Sequence, residues 1–470
     1  MNDGFQSEID AYLDAHWDEV VADIDSLVRI ASVEDLASAA PGAPFGPGPR
    51  QALDQALAIA GRMGLEVHDC DGYMGYADLP GASDTQIGII GHVDVVPAGT
   101  GWNWPPYEVT RHDGYLIGRG VIDDKGPIMV ALHVVKFWMD RMARTGEKLP
   151  YTVRVLFGAC EENDMKDVPY YRDRFADPAF LFTPDSQFPV GYGESGICSG
   201  TLKSAPVEGG DIVELQGGQA TNAVPSDASA IVRMDEPASR ENEGIEIEPC
   251  GQGVYRVQAR GVAAHASTPE LGVNAIGILA GYLLDSHVGT PEERAFLELM
   301  QKLHRHADGS GFGIARADEH FGKLTTVGGM AWIESGRICQ SIDFRYPTTI
   351  TSAEIERRVN AVAAESGATF TMEHDKEPFL MEPDSAAVLA LLDAYNEATG
   401  EHRSGITSKG GTYARMFTTG VSFGVEKPWE EKPAWVGGMH GPDEGVSEEL
   451  LRESFAIYAR TLDKLMQLDL

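Results

Sequence analysis

The sequence predicts an α/β fold with a mixed, largely parallel sheet, split by an inserted α+β domain. Three observations predict it. Strand-like and helix-like stretches alternate as strand, helix, strand between Ile87 and Phe157, the order that builds parallel sheets. Near residue 190 the texture becomes Gly-rich with short β-like runs. After about residue 380 helix and strand alternate again. The expected organisation is one α/β domain in two parts, residues 1–190 and 381–470, around an insert at 191–380. An insert of roughly 190 residues lies within the usual range of a domain.

The elements follow in order. Ile9, Leu13, Val20, Ile24, Leu27 and Val28 recur at near-helical spacing, an amphipathic opening helix of about five turns. "LASAAPGAPFGPGPR" reads as a loop. "QALDQALAIAGRMG" reads as a helix, with Gly64 as its stop. Ile87 to Ile90 is a buried strand, and "DDKGPIMVALHVVKFWMDRM" a helix with Ile128, Leu132, Val135 and Met139 on one face. Tyr151, Val153, Val155 and Phe157 alternate as a strand does. "AFLFTPD" is a short apolar run ending in a carboxylate. In the insert, "GVYRVQARGVAAHAS" alternates, "NAIGILAGYLLDSH" is helical, and "GGMAWIESGRICQSIDFRYP" reads as paired strands around a Gly turn. A last helix is expected from Glu448 to Met466.

Charge narrows the function. Against 37 Lys and Arg stand 72 Asp and Glu, a formal charge of −35. Such a field repels nucleic acid and anionic lipid. The bland reading of the same acidity is solubility. Cys70, Cys160, Cys198, Cys250 and Cys339 are scattered with no CxxC, which fits a reducing compartment. The opening residues have no basic or apolar signal-like region. No stretch reaches the roughly 18 apolar residues that span a bilayer. The expectation is a cytoplasmic protein that binds neither nucleic acid nor membrane.

Four places put imidazole or carboxylate at the ends of apolar runs: His92 with Asp94, Asp123 with Asp124, Glu161 with Glu162, and Asp185. Sites in open α/β sheets form at the carboxyl ends of the strands. Burying carboxylates is costly unless they are paired or metal-bound, so the cluster points to a cation. Imidazole with carboxylates suits zinc, with cobalt or manganese as alternatives. In H-x-D the carboxylate can accept the free imidazole N–H and fix its tautomer. One carboxylate can bridge two metals, and of two adjacent glutamates one can bind metal while the other acts as general base. Each motif alone also reads blandly: H-x-D as a polar strand end, "DDKG" as a helix start, "EE" as solvated surface.

The string "GHVDVVP", "GRGVIDDKGP", "GACEEND", "FTPDSQFPV", "GVAAHASTPELGVNAI", "DFRYP" and "GGMHGPDE" resembles the co-catalytic zinc aminoacylase/carboxypeptidase family of metallopeptidases. "PDSQFPV", "NAVPSDASA", "DFRYP" and "GGTYAR" resemble its bacterial dipeptidase branch, of the PepV type. The resemblance implies a zinc-peptidase catalytic domain split by a lid domain. It implies two Zn2+ per subunit, with Mn2+ or Co2+ as substitutes. His92 and Asp185 would bind one ion, Glu162 and His440 the other, and Asp123 both. Asp94 would orient His92, and Glu161 would be the general base. His265 would stabilise the oxyanion. Asn222 and Arg345 match substrate-binding positions, Arg345 gripping the substrate carboxylate at two points. Gly410, Gly411 and Thr412 would line the carboxylate end. His265 could instead face solvent, Arg345 sit in a surface ion pair, and Asn222 serve a turn.

The expected function is hydrolysis of dipeptides or short unblocked peptides. Two alternatives stay open: an N-acyl amino-acid deacylase or carboxypeptidase on the same fold, and a catalytically silent metal-binding homologue. The partner expected is a small peptide. A monomer is favoured, because the large insert can stand in for a dimer partner, and a homodimer stays open.

Overall fold

Buried parallel strands are apolar on both faces, and Ser83–His92 is such a strand, its last six residues all buried. The computed structural model describes residues 3–207, 209–235, 237 and 244–470. The chain divides into two units: residues 1–192, 380–406 and 412–470, and residues 193–379 with 407–411. Against the expected cuts at 190 and 380, the short stretch Thr407–Gly411 returns to the second unit.

In the first unit the sheet runs Glu66–Cys70, Met74–Leu79, Tyr151–Gly158, Ser83–His92, Phe180–Thr183, Gly420–Ser422. The first two strands and the Tyr151–Gly158 strand pair antiparallel. From there to Gly420–Ser422 every pairing is parallel. His92 lies opposite Gly158, and Ile89 opposite Phe182, so these strands end along one edge.

Alternation along the strands sorts side chains to two faces. Ile87, Ile89, Val153, Val155 and Phe157 pack into the main core with the helices Asp3–Val28, Pro47–Met63, Lys125–Thr145, Ala386–Thr399 and Glu448–Leu465. Ile90, Leu156 and Leu181 face the other way, against Val168, Tyr171, Tyr413 and Phe417. The opening helix is longer than expected, because Phe5 extends the buried stripe towards its start. Gly64 ends the second helix in a left-handed conformation, φ 95°, which glycine adopts without steric cost.

The second unit holds an antiparallel sheet in the order Ile245–Gly251, Val254–Arg260, Asp227–Arg233, Ile212–Gly217, Ala331–Glu334, Arg337–Tyr346, Gly196–Lys203, Thr369–Lys376. Helices Ala275–Asp285, Pro291–His304 and Ser352–Ala364 share its apolar core. Sequence caps set their starts. Asn274 accepts the amides of Ile276 and Gly277, and Thr290 with Glu293 forms a reciprocal capping box. Glu334 pairs with Arg337 across Ser335 and Gly336, both at positive φ. That two-residue turn matches the twist of the flanking strands.

Candidate metal centre

Parallel strands deliver their last residues to one edge, and the chemistry gathers there. His92 ends its strand, Asp185 follows Phe180–Thr183, and Glu161 and Glu162 follow Tyr151–Gly158. Asp123 comes from the turn before the Lys125–Thr145 helix, and His440 from the loop before Gly445–Ser447. Lys125 is buried, and its ammonium donates to the carbonyls of Leu27 (3.0 Å) and Ile30 (2.8 Å). Those carbonyls lie at the end of the opening helix, where cations are favoured, so Lys125 ties the Asp123 turn to that helix.

Two groups of donors result: His92, Asp123 and Asp185, and Asp123, Glu162 and His440. Within each group the ligand atoms lie within 4.8 Å of one another. Asp123 belongs to both and splits its carboxylate. Its Oδ1 is 2.9 Å from His92 Nε2, and its Oδ2 is 2.9 Å from His440 Nε2. Asp185 Oδ2 is 3.6 Å from the same His92 nitrogen, and Glu162 Oε2 is 3.0 Å from His440 Nε2.

The electrostatics fit a cation. Burial and the charge of Asp123 push Asp185 up to about 8. Burial, then Asp185, hold the Glu161 carboxyl well above the usual range. Burial and Asp123 also raise Glu162. Burial works against charge on Asp123 too, but hydrogen bonds to His440 and His92 keep its carboxyl below the ordinary value. Burial opposes charge on His92, yet Asp123, Asp94 and Asp185 outweigh it and hold the imidazole well above 6.5. Asp123 and Glu162 raise His440 to about 11. Crowded carboxylates that hold protons are a site where dications can replace those protons. Glu161 Oε1 is buried with no hydrogen-bond partner among the described residues, a polar atom left for a ligand.

The Asp94 carboxylate, expected to orient His92, lies beside its ring and helps to hold it above the ordinary value, while the nearest acceptor for His92 Nδ1 is the Asp94 backbone carbonyl, at 3.0 Å. Two amides also hold the carboxylate. Oδ1 accepts from Glu161 N at 3.2 Å and Oδ2 from Glu162 N at 3.1 Å, leaving Oδ1 3.5 Å from His92 Nδ1. Asp94 thus joins the first histidine to the glutamate pair. Asp124 Oδ2 accepts from His92 N at 3.2 Å, and a Cβ on Gly91 would sit 2.2 Å from that oxygen. Glycine at 91 is a matter of space.

Asp167 and Tyr413 carry a role that sequence reading missed. Asp167 Oδ2 accepts from Ala159 N (2.8 Å) and Cys160 N (3.1 Å), and it also takes the Tyr413 hydroxyl. Both side chains are fully buried. Together they hold the turn that leads into Glu161. A Cβ on Gly158 would fall 2.0 Å from the Tyr413 oxygen, so glycine there admits the phenol.

The remaining expected residues divide between the units. Thr412 is in the first, where its hydroxyl oxygen caps the turn Tyr413–Met416 by accepting from Ala414 N. His265, Asn222, Arg345, Gly410 and Gly411 are in the second. There the short strands Ala223–Val224 and Ala264–His265 pair, and Ala266 N donates to Asn222 O at 3.0 Å. This brings Asn222 beside His265. His265 Nδ1 lies 2.8 Å from Ser267 Oγ and 3.2 Å from Ser267 N, which fixes the ring on its own loop. Arg345 is buried, not in a surface ion pair. Its Nε and Nη2 donate to Asp343 at 2.7 and 3.0 Å, and Nη1 donates to Lys409 O at 3.1 Å. Gly410 N donates to Ser408 Oγ at 2.8 Å.

A parallel-sheet edge carrying one carboxylate shared between two imidazole–carboxylate groups defines the class of two-metal hydrolytic sites. The chain belongs to peptidase family M20/M25/M40, whose profile matches residues 88–464. It is 30% identical over 471 residues to the Beta-Ala-Xaa dipeptidase of Lactobacillus delbrueckii subsp. lactis, covering 96% of this chain and 97% of that one. Two solved structures share the fold. Human carnosine dipeptidase 1 has a TM-score of 0.59 at 18% identity, over 98% of this chain and 99% of that one. The di-peptidase Dug1p of Saccharomyces cerevisiae has a TM-score of 0.58 at 13% identity, over 99% of each chain. The expected resemblance and the α/β fold both hold. The family is metal-dependent, and the two donor groups suit that chemistry. Among the described residues no helix is long and apolar enough to cross a membrane.

Proposed function

We propose that the chain hydrolyses the peptide bond of free dipeptides or short unblocked peptides with two divalent ions, zinc first among them. The observation that carries this is the divided Asp123 carboxylate beside the unpartnered Glu161 oxygen. His92 and Asp185 would hold one ion, Glu162 and His440 the other, with one Asp123 oxygen for each. Bound there, the ions would acidify water and polarise the amide carbonyl.

The chain's own residues do the rest. Glu161 takes a proton from the attacking water on its buried carboxylate and returns it to the leaving amine. Asp94 fixes the backbone that carries it. The His265 imidazole stabilises negative charge on the former carbonyl oxygen. Arg345 has its Nε edge spent on Asp343, so it meets the substrate carboxylate with the end-on Nη1 and Nη2 donors. Asn222, Gly410, Gly411 and Thr412 complete that end. The dipeptide class is supported by the name of the Lactobacillus relative. A cytoplasmic location belongs to the same reading, supported by five free cysteines, and so does a monomer, for which the large insert is the argument.

A substrate panel tests it. Free dipeptides should be cleaved and N-acetyl or N-succinyl amino acids left intact. Turnover confined to the acylated compounds would replace this reading with a deacylase. Bound metal with no turnover on any amide would point to a silent homologue.

A further inference from the structure

His440 is an unusual ligand. It sits on a loop at φ 63°, in the left-handed region, with its side chain 56% exposed. No ladder of strand hydrogen bonds fixes such a residue, and ligands displaced by even 1 Å serve a site badly. Something else must hold its backbone.

Arg119 and Glu444 form an ion pair that is 1% and 0% exposed. Neither has a part in the reaction described above. Arg119 Nη2 donates to His440 O at 3.1 Å, and to Pro97 O at 3.3 Å in the loop that follows His92 and Asp94. Glu444 Oε1 accepts from Gly120 N (2.8 Å), Ile122 N (3.3 Å) and Asp123 N (3.4 Å). The Trp102 ring lies 5.3 Å from the guanidinium carbon, and its indole N–H donates to Ala98 O at 2.7 Å. The neighbouring Asp443 carboxylate closes the rim, accepting from Asn103 N (2.7 Å) and Nδ2 (2.6 Å).

We propose that the buried Arg119–Glu444 pair is a positioning device for the metal centre, Glu444 setting the backbone of Asp123 and Arg119 that of His440. A buried ion pair is weak support for stability in itself. This one puts its Nη2 donor and its Oε1 acceptor on the two segments that bring Asp123 and His440 together. Only a planar guanidinium offers several donors in fixed directions at once. The inference rests on His440 being a ligand.

The test is a Zn2+ competition titration of the full-length, metal-stripped protein against a chromophoric chelator. The variants are Arg119→Met/Glu444→Gln, Arg119→Lys and His440→Ala. In the double variant the side-chain amide oxygen introduced at position 444 keeps the three backbone amides, no charge is buried unpaired, and what is lost is the link to His440 with the longer one to Pro97. The parent should bind two ions and His440→Ala one. The double variant should bind the second ion about 10- to 100-fold more weakly, the usual cost of losing an orienting partner, with the first unchanged. Arg119→Lys should show the same one-sided loss, and it covers the case in which the double variant fails to fold. Unchanged affinities would overturn the proposal, as would equal weakening of both ions with a lower melting temperature of the metal-free protein. A parent that binds fewer than two ions, or a His440→Ala variant that still binds two, would overturn the metal reading itself.

Discussion

Asp94→Asn is the sharpest single perturbation of the centre. The parent carboxylate has two oxygens, and the amides of Glu161 and Glu162 take one each, at 3.2 and 3.1 Å. An asparagine of the same shape has one oxygen and one NH2 group. It can accept from one of the two amides but presents a donor to the other. Leaving a buried N–H without its acceptor costs about 1–3 kcal/mol. That converts to roughly a 5- to 150-fold loss wherever the turn geometry is used. The loss should appear in metal affinity, because Glu162 is in one donor group, and in kcat, because Glu161 is the proposed base. The imidazole should be less affected, since His92 Nδ1 keeps the backbone carbonyl of residue 94. The assay is metal titration beside dipeptide turnover at saturating metal. Unchanged kcat and unchanged affinity would refute the argument, as would a loss confined to the His92 ion.

Three further perturbations follow. Tyr413→Phe removes the hydroxyl that reaches Asp167; kcat should fall several-fold with KM held, and an unchanged kcat would show the pair does not act on the Glu161 turn. Arg345→Lys keeps the charge beside Asp343 but loses the planar fork; KM for dipeptides should rise at least tenfold, and a loss confined to kcat would move Arg345 out of carboxylate binding. His304 in the second unit is pushed down to about 4 by burial, so the folded state holds it neutral while the unfolded chain protonates near 6.5. Stability from this group is therefore full above pH 6.5 and falls toward pH 4, by up to about 1.4 kcal/mol per pH unit and roughly 3 kcal/mol in all. The half-buried ring makes that an upper bound. His304→Gln should flatten this slope in urea unfolding of the second unit, and an identical slope would place the titration elsewhere.

What the sequence revealed depended on how local the signal was. His92 and Asp185 stand at the ends of apolar runs because buried parallel strands must be apolar throughout, and a polar residue there marks the edge. Glu161 and Glu162 follow such a run for the same reason. The hold of the Asp94 carboxylate on the glutamate turn was not legible, since it depends on amides 67 and 68 residues away. Asp167 and Tyr413 lie 246 residues apart and meet only because the sheet brings them together. The buried setting of Arg345 was hidden likewise, because its partner Asp343 is two residues along the same strand, where an exposed pair would read identically. The return of Thr407–Gly411 to the second unit carries no compositional mark.

The central claim is that the two groups of side chains sharing Asp123 hold metal while Glu161 carries the proton. Glu161→Gln keeps the shape and removes the base, so metal content and free-dipeptide turnover should be measured on the same purified sample. Two ions per chain, with turnover lower by roughly a hundred- to ten-thousand-fold, is the predicted result. Turnover within tenfold of the parent, or loss of an ion with the substitution, would contradict it.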